Sequence, residues 1–138
     1  MEHNPESYYS MLNKYFLLFF LILTPLFGVQ HGGVDFYQFD EALLKQAREE
    51  NRVVTIFFTA DWCGACKYFK STALRDKRVI QKLRFAKNFV VDFSKTSQPV
   101  GVDYYFKYRA NGLPTLLIIK PNGNYILTRD ADEIVDFL

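Results

Sequence analysis

A run of apolar and β-branched residues, Val53 to Thr59, ends at Asp61-Trp62 and gives way to Cys63-Gly64-Ala65-Cys66. No other stretch limits the fold as tightly. The unbroken run predicts a buried strand, because a strand with one wet face would alternate with polar positions. A helical pattern begins near Cys63, and Cys63 and Cys66 are three apart, on neighbouring faces of one turn. A cysteine in the first helical turn meets unpaired backbone N–H groups and the positive end of the helix dipole. Both favour its thiolate over its thiol. The second cysteine is close enough to attack a mixed disulfide formed by the first, which is the layout of a dithiol for exchange.

The same pair has two other readings. Half of a zinc site would need two more Cys or His ligands at matching spacing. There is no third cysteine, and the two histidines, His3 and His31, both fall in the N-terminal portion. A structural disulfide is the other reading, but so tight a ring constrains the unfolded chain little and suits reversible chemistry better. No metal and no cofactor is expected.

A chain of 138 residues is long enough for one domain with a real core. Hydrophobic residues make up 49%, too many for a disordered chain. The formal charge of +2, with no basic run, argues against a nucleic-acid partner.

Residues 1–29 read as lying outside the domain. Tyr15 to Val29 is uncharged and apolar but for Thr24, contains Pro25, and follows Lys14. That is shorter than the ~20 residues that comfortably span a bilayer and fits the apolar region of a signal peptide. Met11 opens a basic segment and is a second candidate start, with Gly28, Gly32 or Gly33 as small residues for cleavage. An uncleaved membrane anchor is the alternative, and a buried core helix the third reading. The first two place the dithiol in a periplasmic or other extracytoplasmic space.

The domain, residues 34–138, is expected to open with a strand from Val34 to Phe39. Asp40 then caps a helix to about Asn51, with Ala42, Leu43, Leu44 and Ala47 on one side. After the central strand, the cysteine helix runs to about Leu74, and Asp76 opens a second helical piece. Asn88 to Phe93 reads as a strand, Ser94 to Gly101 as a polar loop, and Val102 to Ala110 as an aromatic-rich helix. Leu116 to Lys120 and Tyr125 to Thr128 form a hairpin about Pro121-Asn122-Gly123-Asn124, where Asn-Gly supplies positive φ. Asp130 caps a closing helix. This order places the cysteines at the carboxyl end of a central strand, where open α/β sheets usually carry their chemistry.

Trp62-Cys63-Gly64-Ala65-Cys66-Lys67 behind its strand, with Gly112-Leu113-Pro114-Thr115 later, resembles the thioredoxin superfamily. Ala60-Asp61-Trp62-Cys63 and Ala65-Cys66-Lys67 are most similar to the C-terminal periplasmic domain of the DsbD thiol:disulfide interchange proteins. The resemblance covers about Phe36 to Leu138. It implies a thioredoxin-like α/β fold, a mixed sheet flanked by helices, and a redox-active disulfide between Cys63 and Cys66. It further implies Cys63 as the attacking and Cys66 as the resolving cysteine, with Pro114 a cis-proline facing them. Trp62, Leu113 and Pro114 would contact substrate, Leu113 through its backbone.

Phe57, Lys70 and the Gly64-Ala65 dipeptide depart from the resemblance, thioredoxin having Gly-Pro between its cysteines, a dipeptide that influences reduction potential. Many relatives carry a buried acid six residues before the first cysteine, where this chain has Phe57, and the DsbD domain has an acid where this chain has Lys70. Lys67 and Lys70 read as a solvated helix face, and Asp61 as a helix cap. The expected activity is reduction of disulfide-containing protein substrates, with oxidation or isomerisation, or a non-enzymatic binding module, as alternatives. An exported reductase needs electrons from the cytoplasm, so a separate membrane protein would have to re-reduce it.

Overall fold

The computed structural model describes residues 28–95 and 99–138. The expectations for residues 1–27, including the apolar segment and Met11, lie outside the described residues. A six-stranded mixed sheet runs in the order β1-β2-β4-β3-β5-β6. Its centre is β3, Val54–Thr59, the strand expected from the apolar run, with all six residues buried. It pairs in parallel with β4, Lys87–Asp92, and antiparallel with β5, Thr115–Ile119. The outer strands are β2, Val34–Gln38, beside β4, and β6, Tyr125–Thr128, beside β5. Beyond β2 lies β1, Val29–His31, a short antiparallel edge strand outside the domain limits expected from sequence.

Successive side chains of β3 point to opposite faces and so feed two cores. Phe57 joins Val34, Phe36, Val90, Leu116 and Ile118 on one face. Phe69 of α2, Gly64–Ser71, and Ile134 of α5, Ala131–Phe137, cover it. Val54, Ile56 and Phe58 join Phe89, Val91 and Leu117 on the other face. There α1, Glu41–Glu49, brings Leu44 and Ala47, and α4, Pro99–Lys107, brings Tyr104 and Tyr105. A short 3-10 turn, Ala73–Arg75, and α3, Lys77–Leu83, close the first face with Leu74, Val79 and Leu83.

Three helices begin where a short acid can accept the orphan amides of the first turn. Asp40 Oδ1 accepts from Leu43 N–H at 2.9 Å, Asp76 Oδ1 from Arg78 N–H at 2.8 Å, and Asp130 Oδ1 from Asp132 and Glu133 N–H. Other limits moved. α4 starts at Pro99, not at Val102, because proline lacks the amide hydrogen that a first-turn residue cannot pair anyway. The cysteine helix ends at Ser71 and tightens into the 3-10 turn instead of running on to Leu74. Gly123, at φ +88°, makes the β5–β6 turn expected of Asn-Gly.

Candidate active site

Cys63 ends the extended segment after β3 and is itself the cap of α2, with φ −88° and ψ 104°. Its Sγ accepts the Cys66 backbone N–H at 3.1 Å. Caps are usually oxygen-bearing side chains, and here a sulfur takes the place. Asp61, expected to cap this helix, does not. Its backbone N–H instead donates to Ser94 Oγ at 2.6 Å, and Ser94 N–H donates to Asp92 Oδ1 at 2.9 Å. The turn after β3 is thereby fastened to the turn after β4.

Cys63 and Cys66 form a disulfide with a Cα–Cα distance of 5.2 Å, inside the ordinary range. Cys63 is 7% exposed and Cys66 0%, so of the two residues only Cys63 has any opening to solvent. The pair packs with Ala60, Phe93 and Leu113. Leu113 precedes Pro114 through a cis peptide bond, and Gly112 before it has φ +86°. Neither the N–H nor the C=O of Leu113 is bonded among the described residues. Three of the expected site residues, Cys63, Cys66 and Leu113, thus share one cluster, with buried Pro114 next to Leu113. Trp62 is 72% exposed and stands out from the turn beside Cys63.

Beneath α2, the Phe57 ring is fully buried, with centroids 5.6 Å from Phe36 and 5.5 Å from Phe69. Lys67 is exposed, as a solvated helix face requires, but Lys70 is only half-exposed. Its Nζ lies 5.8 Å from the Phe57 centroid, because the aliphatic stem can cover apolar surface while the ammonium stays wet. His31 of β1 packs edge-on against the same ring. Burial lowers the His31 pKa to about 4, helped by the positive charge of Lys70. The charge of Asp92 opposes the shift, that of Lys95 adds to it, and that of Asp61 again opposes it. No sequence signal marked His31, whose neighbours come from β2, β3 and α2.

The register sets a polar pair on this face. Phe57 lies opposite Val90, and two residues on, Thr59 lies opposite Asp92. Among the described residues Asp92 is the one buried carboxylate. The buried Thr59 hydroxyl has no hydrogen-bond partner there. Among the described residues no cluster of His, Cys, Asp and Glu could hold a metal ion.

This arrangement can pass electrons between sulfur atoms. One cysteine keeps a narrow opening to solvent, its sulfur held by an amide at a helix start, and the second is enclosed behind it. Comparison with known proteins agrees. A family model described as thioredoxin-like matches residues 35–121. Protein disulfide-isomerase A3 of Gallus gallus is 29% identical over 126 residues, covering 86% of this chain and 23% of the relative. The thiol:disulfide interchange protein DsbD of Vibrio cholerae is 32% identical over 76 residues, 55% of this chain and 12% of the relative. The chain therefore spans far less than two thirds of either. Among solved structures, the oxidised C-terminal domain of Neisseria meningitidis DsbD superposes with a TM-score of 0.54 at 24% identity, over 72% of this chain and 94% of that one. The chain belongs to the thioredoxin-like family.

Proposed function

We propose that this protein is an exported thiol:disulfide oxidoreductase that reduces disulfides in protein substrates. The observation that carries the reading is the division of labour at α2. Cys63 Sγ sits at the helix start and receives the Cys66 amide, while Cys66 is enclosed behind it. In the reduced protein, the Cys63 thiolate attacks a substrate disulfide, one substrate sulfur leaves as thiolate, and a mixed disulfide forms. Cys66 loses its proton and attacks Cys63 Sγ, expelling the second substrate sulfur. Two electrons and two protons pass to the substrate, and the Cys63–Cys66 disulfide remains.

Trp62, Leu113 and Pro114 form the contact surface for substrate in this reading. The unpaired N–H and C=O of Leu113 support it, since an extended substrate peptide can pair with them as an added strand. Similarity to DsbD and the apolar Tyr15–Val29 segment support an extracytoplasmic location, with a separate membrane protein as electron donor and the N-terminal segment as signal or anchor. Among the described residues no helix is long and apolar enough to cross a membrane.

Two measurements test the proposal. The protein, kept reduced by dithiothreitol, should accelerate reduction of insulin disulfides, and Cys63→Ala should abolish the acceleration. Thiol trapping in the native compartment should find Cys63 and Cys66 mainly reduced. A mainly oxidised pair there would make the protein an oxidase, and an inactive parent would leave the thioredoxin-like fold without this chemistry.

A further inference from the structure

The segment that approaches the dithiol from the far side, Asn111 to Thr115, is fastened by one bond of its own and by side chains from two other places in the chain. Arg129 donates to Asn111 O, Thr115 Oγ1 donates to Gly112 O at 2.8 Å, and Gly112 N–H donates to Tyr105 Oη at 2.6 Å. The third bond comes from α4. The Tyr105 ring is itself fixed edge-on, its centroid 5.3 Å from that of Phe58 and 5.2 Å from that of Phe93. Phe93 in turn packs against the cluster of Ala60, Cys63 and Cys66. One tyrosine therefore touches both walls of the site, through its ring on the cysteine side and through its hydroxyl on the Leu113 side.

We propose that Tyr105 is a positioning residue for protein substrates, holding the Gly112 amide so that the Leu113 peptide groups are presented in strand geometry beside Cys63. The inference rests on the oxidoreductase reading above and assigns it a determinant outside the Cys63–Cys66 and Leu113–Pro114 segments. Gly112 lies at φ +86°, in a region that a glycine enters and leaves freely. A peptide that pairs with Leu113 must find its two polar groups already aligned, or spend binding energy ordering them. Glycine cannot supply that order, and the bond to Tyr105 can. A small disulfide reagent needs no strand pairing and is indifferent to it.

The test is Tyr105→Phe, which keeps the ring among Phe58 and Phe93 and deletes only the acceptor. The KM for insulin should rise roughly threefold to tenfold with kcat unchanged, the range expected for one neutral hydrogen bond. The rate with Ellman's reagent, a small aromatic disulfide, should not change. Amide exchange at Gly112, followed by NMR, should quicken by a similar factor. An unchanged KM for insulin overturns the proposal, as does unchanged exchange at Gly112. An equal fall in the insulin and Ellman rates overturns it too, because the dithiol itself would then be disturbed. If the parent protein reduces neither disulfide, the oxidoreductase reading fails first and the substrate role of Tyr105 goes with it.

Discussion

The imidazole of His31 stands edge-on to the ring of Phe57, centroids 5.8 Å apart and planes at 71°. An edge strand of three residues thereby places its one titratable ring beside the core under the cysteine helix. Burial is the main cause of the low His31 pKa, about 4, and Lys70 is the next. The ring is neutral at pH 7.

That shift has a sign for stability. The unfolded chain takes up the His31 proton near pH 6.5 and the folded chain near 4. The stabilisation is therefore complete above 6.5 and lost as pH falls from 6.5 towards 4. The ring is partly open to solvent, so the discounted loss is about 1 kcal/mol. Urea midpoints of the parent should fall across that window. In His31→Phe, which keeps an aromatic ring against Phe57, they should stay level apart from the shared titration of acids. A parallel fall in both forms would show that His31 is not the group responsible.

The roles of the two cysteines predict opposite outcomes for their single substitutions. Cys66→Ala leaves Cys63 able to attack with nothing to expel the product, so mixed disulfides with substrates should accumulate. Non-reducing gels would display them as larger species that collapse with reductant. Cys63→Ala should give none, since Cys66 is fully buried. Accumulation in Cys63→Ala instead would reverse the assignment.

Gly32 tests whether β1 is part of the working fold. It turns the chain between β1 and β2 at φ +66°, and a Cβ there would lie 2.6 Å from Leu74 O. Gly33 N–H donates to the same carbonyl at 2.8 Å. Both conformation and space therefore demand glycine. Gly32→Ala should cost roughly 1–3 kcal/mol and lower the melting temperature by roughly 5–15 °C. The low His31 pKa should move back towards 6.5 as its strand loosens, which NMR titration would read. An unshifted melting temperature would show that the β1 turn adds nothing to stability.

What could be read from the sequence was whatever is local. The buried strand β3, the Asp40, Asp76 and Asp130 caps and the Asn122-Gly123 turn are each specified within a few residues of chain. The cysteine pair was legible for the same reason, its spacing fixing its geometry once a helix follows a strand. β1 was not, because three residues carry no period and its place depends on pairing with β2. The fold of Lys70 over Phe57 and the Tyr105–Gly112 bond depend on neighbours far away in sequence. Phe57 showed that the usual acid position is empty of charge, yet only the register of β3 on β4 revealed a carboxylate, Asp92, level with Thr59.

The position of Phe57 governs how Cys66 loses its proton. Only a thiolate attacks a disulfide sulfur, so the resolving step requires Cys66 to give up a proton inside a closed site. A carboxylate under the helix could accept it, but Phe57 is apolar and packed between Phe36 and Phe69. The resolving step, and not attack by Cys63, should then limit turnover near neutral pH. Its rate should climb about tenfold per pH unit until Cys66 is ionised. Phe57→Asp should speed the step and flatten the climb. The change removes a ring worth about 3–5 kcal/mol of packing and buries an acid. Lys70, with Nζ 5.8 Å from the Phe57 centroid, stands close enough to pair with that acid and offset part of the cost. Stopped-flow release from a preformed mixed disulfide, across pH and for both forms, measures the step directly. A flat profile in the parent would sink the reading of Phe57 and turn attention to Asp92 as the group that takes the proton. Asp92→Asn should then slow release while Phe57→Asp leaves it unchanged.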